Sequence, residues 1–173
     1  AFHASYYRPS NATLVVVGDV AADAVTAQLE SAFGAWPAAP PVKRVAVPAA
    51  GQPRRGEIVI VDKPGAAQSQ IRLGWVGVAR NTPDDAALEV LNTILGGSFT
   101  SRLNQNLRER NGYAYGAGSR FDMRLSPGPF FAAAGVQTDK TAEALQEFFN
   151  ELRAIVRPVP ADELSKARNY VAL

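Results

Sequence analysis

The sequence predicts an α+β fold, a sheet with helices packed mainly on one face. Three observations lead there. Strand-like apolar runs and stripes at helical spacing both occur, in the order strand, helix, two strands, helix, hairpin, helix, helix. That order lacks the strict alternation of a doubly wound parallel sheet. Two of the strand-like runs flank the turn Ser126-Pro127-Gly128-Pro129, which makes them an antiparallel hairpin. A chain of 173 residues, 47% hydrophobic, is long enough to bury one sizeable core and reads as a single folded unit.

Each element has a local reason. Asn11 to Val17 ends in Leu14-Val15-Val16-Val17 and is closed by Gly18-Asp19, as a buried strand would be. Val25, Leu29, Ala32 and Phe33 recur at helical spacing until Gly34 and Pro37 stop the helix. Residues 37–56 hold five prolines and two glycines and read as an extended internal connection. Glu57 to Val61 and Gln68 to Val78 are strand-like, with Lys63-Pro64-Gly65 as the turn between them. Thr82-Pro83-Asp84-Asp85 starts a helix, with a hydroxyl cap and acids at the positive end of the helix dipole. Leu88, Leu91 and Leu95 mark its buried stripe. Gly96-Gly97 ends it, Ser98 or Thr100 caps a second helix from about Ser101 to Arg110, and two strands follow, Tyr115 to Leu125 and Phe130 to Gln137. Thr138 caps a helix carrying Leu145, Phe148, Phe149, Leu152 and Val156; Pro158 and Pro160 break it, and a last helix starts near Ala161.

The composition narrows the function classes. A net charge of +2, with pI about 9.1 and scattered basic residues, gives little support to nucleic-acid or membrane-surface binding. No run of about 18 apolar residues could span a bilayer. Without cysteine there is no disulfide, no thiol catalysis and no cysteine metal site. The missing initiator Met and the helical pattern still running at Leu173 make the chain read as a fragment of a longer one.

Catalytic signals are scarce. The only histidine is His3, so neither HExxH nor HxxEH can occur, and no zinc site is expected in this chain. Beside Phe2, His3 reads as a boundary residue. A serine or threonine nucleophile would lack its histidine base, and no Ser-x-x-Lys pair is present. The pair Asp84-Asp85 sits where a helix start favours acids. Gly96 to Arg102 lacks the Gly-Lys-Ser/Thr ending of a phosphate loop and follows a helix where such a loop follows a strand.

Between Arg102 and Arg124 stand five arginines against Glu109 and Asp122, interleaved with Tyr113, Tyr115 and Phe121. Gly112, Gly116 and Gly118 let another backbone come close, arginine offers a fork to carbonyls or a carboxylate, and tyrosine a phenol donor. The stretch therefore reads as a peptide-binding surface, against the plainer alternative of a core tyrosine beside a solvated charged helix. Single-stranded nucleic-acid binding would rest only on the interleaved Arg and Tyr and on the pI.

Three stretches carry a resemblance. FHASYYRPSNATLVVVGDV from Phe2, the helix ending Leu95-Gly96-Gly97, and SFTSRLNQNLRERNGYAYG up to Gly116 resemble the C-terminal-type domain of the pitrilysin/insulinase-like (M16) zinc metallopeptidases. The likeness covers nearly the whole chain. It implies a metallohydrolase-type α+β domain, processing-peptidase-like, with a mixed and largely antiparallel sheet of about six strands. It also implies the half without HxxEH: no metal and no catalytic residue here, zinc in a partner half, and a peptide substrate enclosed between the two. That partner half would lie on the same parent chain or on a separate subunit. By the same resemblance Arg108 and Tyr115 bind the substrate backbone, with Tyr113 as the alternative tyrosine, while Gly96, Gly97, Gly112 and Gly116 shape the loops. The family also favours a periplasmic or exported location. The rival reading within the same fold is a proteolytically inactive scaffold.

Overall fold

The computed structural model describes residues 2–42, 45–48 and 50–173. The chain divides into two compact units, Ala1–Pro48 and Ala49–Leu173, at a point within the proline-rich stretch.

The first unit holds α1 (Phe2–Tyr6), a 3-10 turn (Pro9–Asn11) and α2 (Ala22–Phe33). Its turn is tied by Arg8 Nε donating to Ala4 O (3.1 Å) and Asn11 Nδ2 to Tyr6 O (3.0 Å). α2 ends as the spacing predicts, with Gly34 N–H closing on Glu30 O at 2.8 Å. None of its side chains is buried.

The second unit is built on β1 (Gln68–Val76), β2 (Ala114–Phe121) and β3 (Pro129–Gln137), in the spatial order β1-β3-β2 with both pairs antiparallel. This corrects the expectation of about six strands: among the described residues the sheet has three. Leu14 to Val17 and Ile58 to Val61 join no ladder, and Val17 and Ile58 are 91% and 89% exposed. β-branched residues favour a pleated, half-buried surface, and that preference becomes a strand only where a neighbouring chain takes up the main-chain donors and acceptors. The expected hairpin does form, although its first strand ends at Phe121 and leaves Leu125 in solvent.

β3 is central, and its alternation decides where the core lies. Phe130, Ala132, Ala134 and Val136 are buried, while the residues between them point the other way. Opposite this row stand Trp75, Leu73 and Ile71 on β1, and Phe121 and Ser119 on β2. Onto it pack Leu95, Leu103 and Leu107 with Ala144 and Phe148. These come from α3 (Asp85–Asn92) with its π-helical continuation Thr93–Gly97, from α4 (Arg102–Asn104) with its π-helical continuation Gln105–Arg110, and from α5 (Thr141–Ala154). The small Ala132 and Ala134 let the helices approach closely.

α6 (Ala161–Ala172) follows Pro160 and is tied to α4 by Arg102, which donates to both Glu163 oxygens at 2.7 and 2.6 Å. This two-pronged bond holds the guanidinium above its ordinary pKa. Thr138 does not cap α5 as expected. Its hydroxyl bonds Ala66 O at 3.3 Å, and a 3-10 turn, Thr138–Lys140, leads into the helix.

Candidate functional site

Two interrupted helices and a bulged strand build the site. α3 widens into a π-helix at Thr93, and Gly96 lies within that wide turn, against β2. A Cβ on Gly96 would sit 2.2 Å from Ser119 N, so only glycine allows helix and strand this close. A Cβ on Gly97 would meet Asn92 Nδ2 at 2.7 Å. The chain then turns through Ser98, Phe99 and Thr100; Ser98 Oγ donates to Thr93 O (3.1 Å), and Ser101 is the residue that precedes α4. π-helical turns are uncommon and recur at functional sites.

Asn104, buried at 5% exposure, joins the parts. Its Nδ2 donates to Phe99 O at 2.6 Å, and its Oδ1 accepts the Ala117 N–H at 3.2 Å. That second bond falls where β2 breaks register with β3, between Ala114 and Ala117. The irregularity turns Tyr115 outward, to 86% exposure, and leaves Gly116 with room for a Cβ, its nearest neighbour being Asn104 Oδ1 at 3.7 Å.

Arg108 rises from the second π-helix into this setting. Its guanidinium carbon lies 4.5 Å from the centroid of the exposed Phe99 ring and 5.4 Å from that of Tyr115. The structure thus brings Arg108 and Tyr115 together across seven residues of sequence. Each contact is worth about 0.5–1 kcal/mol at an exposed site. Glu109 Oε1 lies 3.5 Å from Arg108 Nε, a loose ion pair. Tyr113 lies elsewhere, packed against the hydrophobic core, with its N–H on Leu107 O (2.8 Å). Gly112 makes the turn between them at φ +63°, in the left-handed region that favours glycine.

Behind Arg108 lies a polar network that sequence reasoning missed. Asn106 is buried, and its Nδ2 donates to Glu147 Oε2 (2.8 Å) and Glu151 Oε1 (2.7 Å) on α5. Asn111 Nδ2 donates back to Asn106 Oδ1 at 2.6 Å. Nothing in the sequence separates these asparagines from solvated ones. Phe99 was missed too, although an aromatic side chain in a Gly-Gly-Ser turn between two helices was a usable signal.

These residues do not fit a zinc ion. His3 is exposed on α1 with its ring stacked on Tyr7 at 4.7 Å, and among the described residues no group of three or more His, Cys, Asp or Glu could hold a metal. Among the described residues, no helix is long and apolar enough to cross a membrane.

Comparison with known proteins places the fold. A family profile described as the peptidase M16 inactive domain matches residues 1–171. An uncharacterized zinc protease of Streptomyces coelicolor is 30% identical over 176 residues, 96% of this chain and 37% of its own length. Zinc protease PqqE of Helicobacter pylori is 28% identical over 168 residues, again 96% of this chain and 37% of its own length. The crystal structure of a peptidase M16 inactive domain from Pseudomonas fluorescens superposes with a TM-score of 0.82 at 27% identity, over 99% of this chain and 41% of that one. A Helicobacter pylori protease superposes at 0.80 and 28% identity, over 96% of this chain and 41% of that one. The chain thus spans well under half the length of these relatives. With the family profile running over nearly its whole length and the fold shared with a solved inactive domain, the chain belongs to the M16 peptidase family, as one of its inactive domains.

Proposed function

We propose that this chain is the substrate-binding, non-catalytic domain of a zinc metallopeptidase acting on peptides or small unfolded proteins, and that it pairs with an HxxEH-bearing half to close a chamber. The observation that carries the proposal is the guanidinium of Arg108 held between the exposed rings of Phe99 and Tyr115. Stacking fixes the plane of the guanidinium and leaves its N–H edges for peptide carbonyls. The exposed Tyr115 supplies a phenol donor beside it. Arg108 and Tyr115 then orient an extended peptide, while the metal and the general base belong to the partner half. A scaffold would have no use for such a pair at the surface. A periplasmic or exported location forms part of the same proposal.

The test is cleavage of a quenched fluorescent peptide by the intact protein together with its HxxEH-bearing half, comparing wild type with Arg108→Ala. The expected fall in kcat/KM is about tenfold to a thousandfold, or about 1.4–4 kcal/mol of transition-state binding. An unchanged kcat/KM in a variant with wild-type circular dichroism would favour the scaffold reading.

A further inference from the structure

The sheet face opposite the helices carries a second cluster. Alternation places Gln68, Gln70 and Arg72 of β1, Phe131 and Ala133 of β3 and Arg120 of β2 on the side away from the buried Phe130–Val136 row. Arg120 lies directly opposite Phe131, and Arg72 opposite Ala133, the next residue along β3 on the same face. Both guanidiniums reach the same ring: Arg72 Cζ is 5.1 Å from the Phe131 centroid and Arg120 Cζ 5.3 Å. The two charges are therefore no more than about 10 Å apart, roughly the Debye length in 0.1 M salt.

No acid pairs with them directly, although the charge of Arg120 helps, after the hydrogen bond from Arg124, to lower the pKa of Asp122. Both arginines are exposed, and among the described residues neither forms an ion pair. The other strand residues on this face are glutamine, glycine, alanine, proline and valine. Asp122, just beyond β2, is already bound by Arg124, whose Nε donates to it at 3.1 Å. Two like charges held this close without an ion-pair partner of their own repel each other, and the shared ring keeps them from swinging apart. An anionic partner reaching both relieves that repulsion and gains two charge-assisted bonds.

We propose that this sheet face is a second polypeptide-docking surface, whose occupant is an extended acidic segment with carboxylates two or three residues apart. At about 3.3 Å per residue such side chains span ~7–10 Å, which matches the pair. The glutamine amides beside them both donate and accept, as a peptide backbone requires. A nucleic-acid strand would want a longer basic track than two arginines provide. The surface is independent of Arg108 and Tyr115.

The experiment is fluorescence anisotropy of a labelled, extended decapeptide with Glu at alternate positions, titrated with the full-length protein that carries this chain. Its Gln counterpart, its Lys counterpart and a single-stranded oligonucleotide of equal charge are run beside it. The Glu peptide should bind at least about tenfold tighter than the Gln peptide and weaken with salt. The double variant Arg72→Gln/Arg120→Gln should abolish that preference, Arg72→Glu/Arg120→Glu should transfer it to the Lys peptide, and Arg108→Ala should leave it intact. Equal binding of the Glu and Gln peptides, or no response to the double variant, would overturn the proposal. So would loss of binding with Arg108→Ala, which would put the peptide at the other site, or an oligonucleotide that binds as tightly and displaces the peptide.

Discussion

Replacing Gly96 by alanine tests the joint on which the site stands. The added Cβ would lie 2.2 Å from Ser119 N, 2.5 Å from Ser119 Oγ and 2.7 Å from Gly118 C. A carbon atom ordinarily comes no nearer than 3.0 Å, so the helix must move off the strand by nearly an ångström. Two of the three opposing atoms are backbone and cannot rotate away. The interior is close-packed, and overfilling of this kind costs about 1–3 kcal/mol or somewhat more. For a unit of this size that lowers the melting temperature by about 5–10 °C. Trp75 stacks on Phe130 at 4.5 Å, so its fluorescence in a Trp36→Phe background reports unfolding of the sheet. Gly116→Ala is the control, since its Cβ would find nothing nearer than 3.7 Å and the variant should melt within a degree or two of wild type. A Gly96→Ala protein as stable as the control would refute the close approach of helix to strand.

Asn106→Ala removes the buried donor shared by the half-buried carboxylates of Glu147 and Glu151, at a cost of about 1–2 kcal/mol. Chemical denaturation measures it, and a loss under about 0.5 kcal/mol would mean that water replaces the amide. The hydrogen bond from Arg124 holds the Asp122 carboxyl below its usual range. A depressed pKa contributes stability above the unfolded value that is lost as pH falls through the folded one. In a carboxyl NMR titration Asp122 should therefore have its midpoint below that of a free aspartate, and Arg124→Ala should raise it; an unmoved midpoint would remove Arg124 as the cause.

How much of this was legible depends on whether a signal is local. β1 and the β2–β3 hairpin were readable because alternation and the Pro-Gly turn are contained in the segments themselves. Leu14 to Val17 and Ile58 to Val61 carry the same residue types, but a strand needs a partner, and no local signal provides one. The π-helical turns were invisible for a related reason. A helical wheel assumes a uniform turn, so it does not show that Asn106, in the second wide turn, is buried. Asparagine is mostly exposed, so the residue type gives no hint of the buried Asn104 and Asn106 either. The pairing of Arg108 with Tyr115 came from resemblance to a family, since seven residues between a helix and a strand do not fix a distance. Phe99, which completes the stack, lies in a turn whose path depends on the buried Asn104.

Asn104 is therefore the residue through which the proposed function is best examined. Its amide holds the Phe99 carbonyl on one side and the Ala117 N–H at the break in β2 on the other, so it positions both rings that flank Arg108 without facing solvent itself. Asn104→Ala releases both, at about 1–3 kcal/mol of stability. Stability alone would not separate a positioning role from a structural one, but a double-mutant cycle on kcat/KM does. If Asn104 acts by keeping Phe99 and Tyr115 around the guanidinium, its loss should matter much less once Arg108 is alanine, giving a coupling of about 1 kcal/mol or more. Asn104→Asp sharpens the distinction, because the carboxylate still accepts from Ala117 but faces the Phe99 carbonyl without a donor. It should spare the Tyr115 side of the stack and loosen the Phe99 side. Additive losses in the cycle would mean that Asn104 supports only the fold, and that the Arg108 stack holds its shape without it.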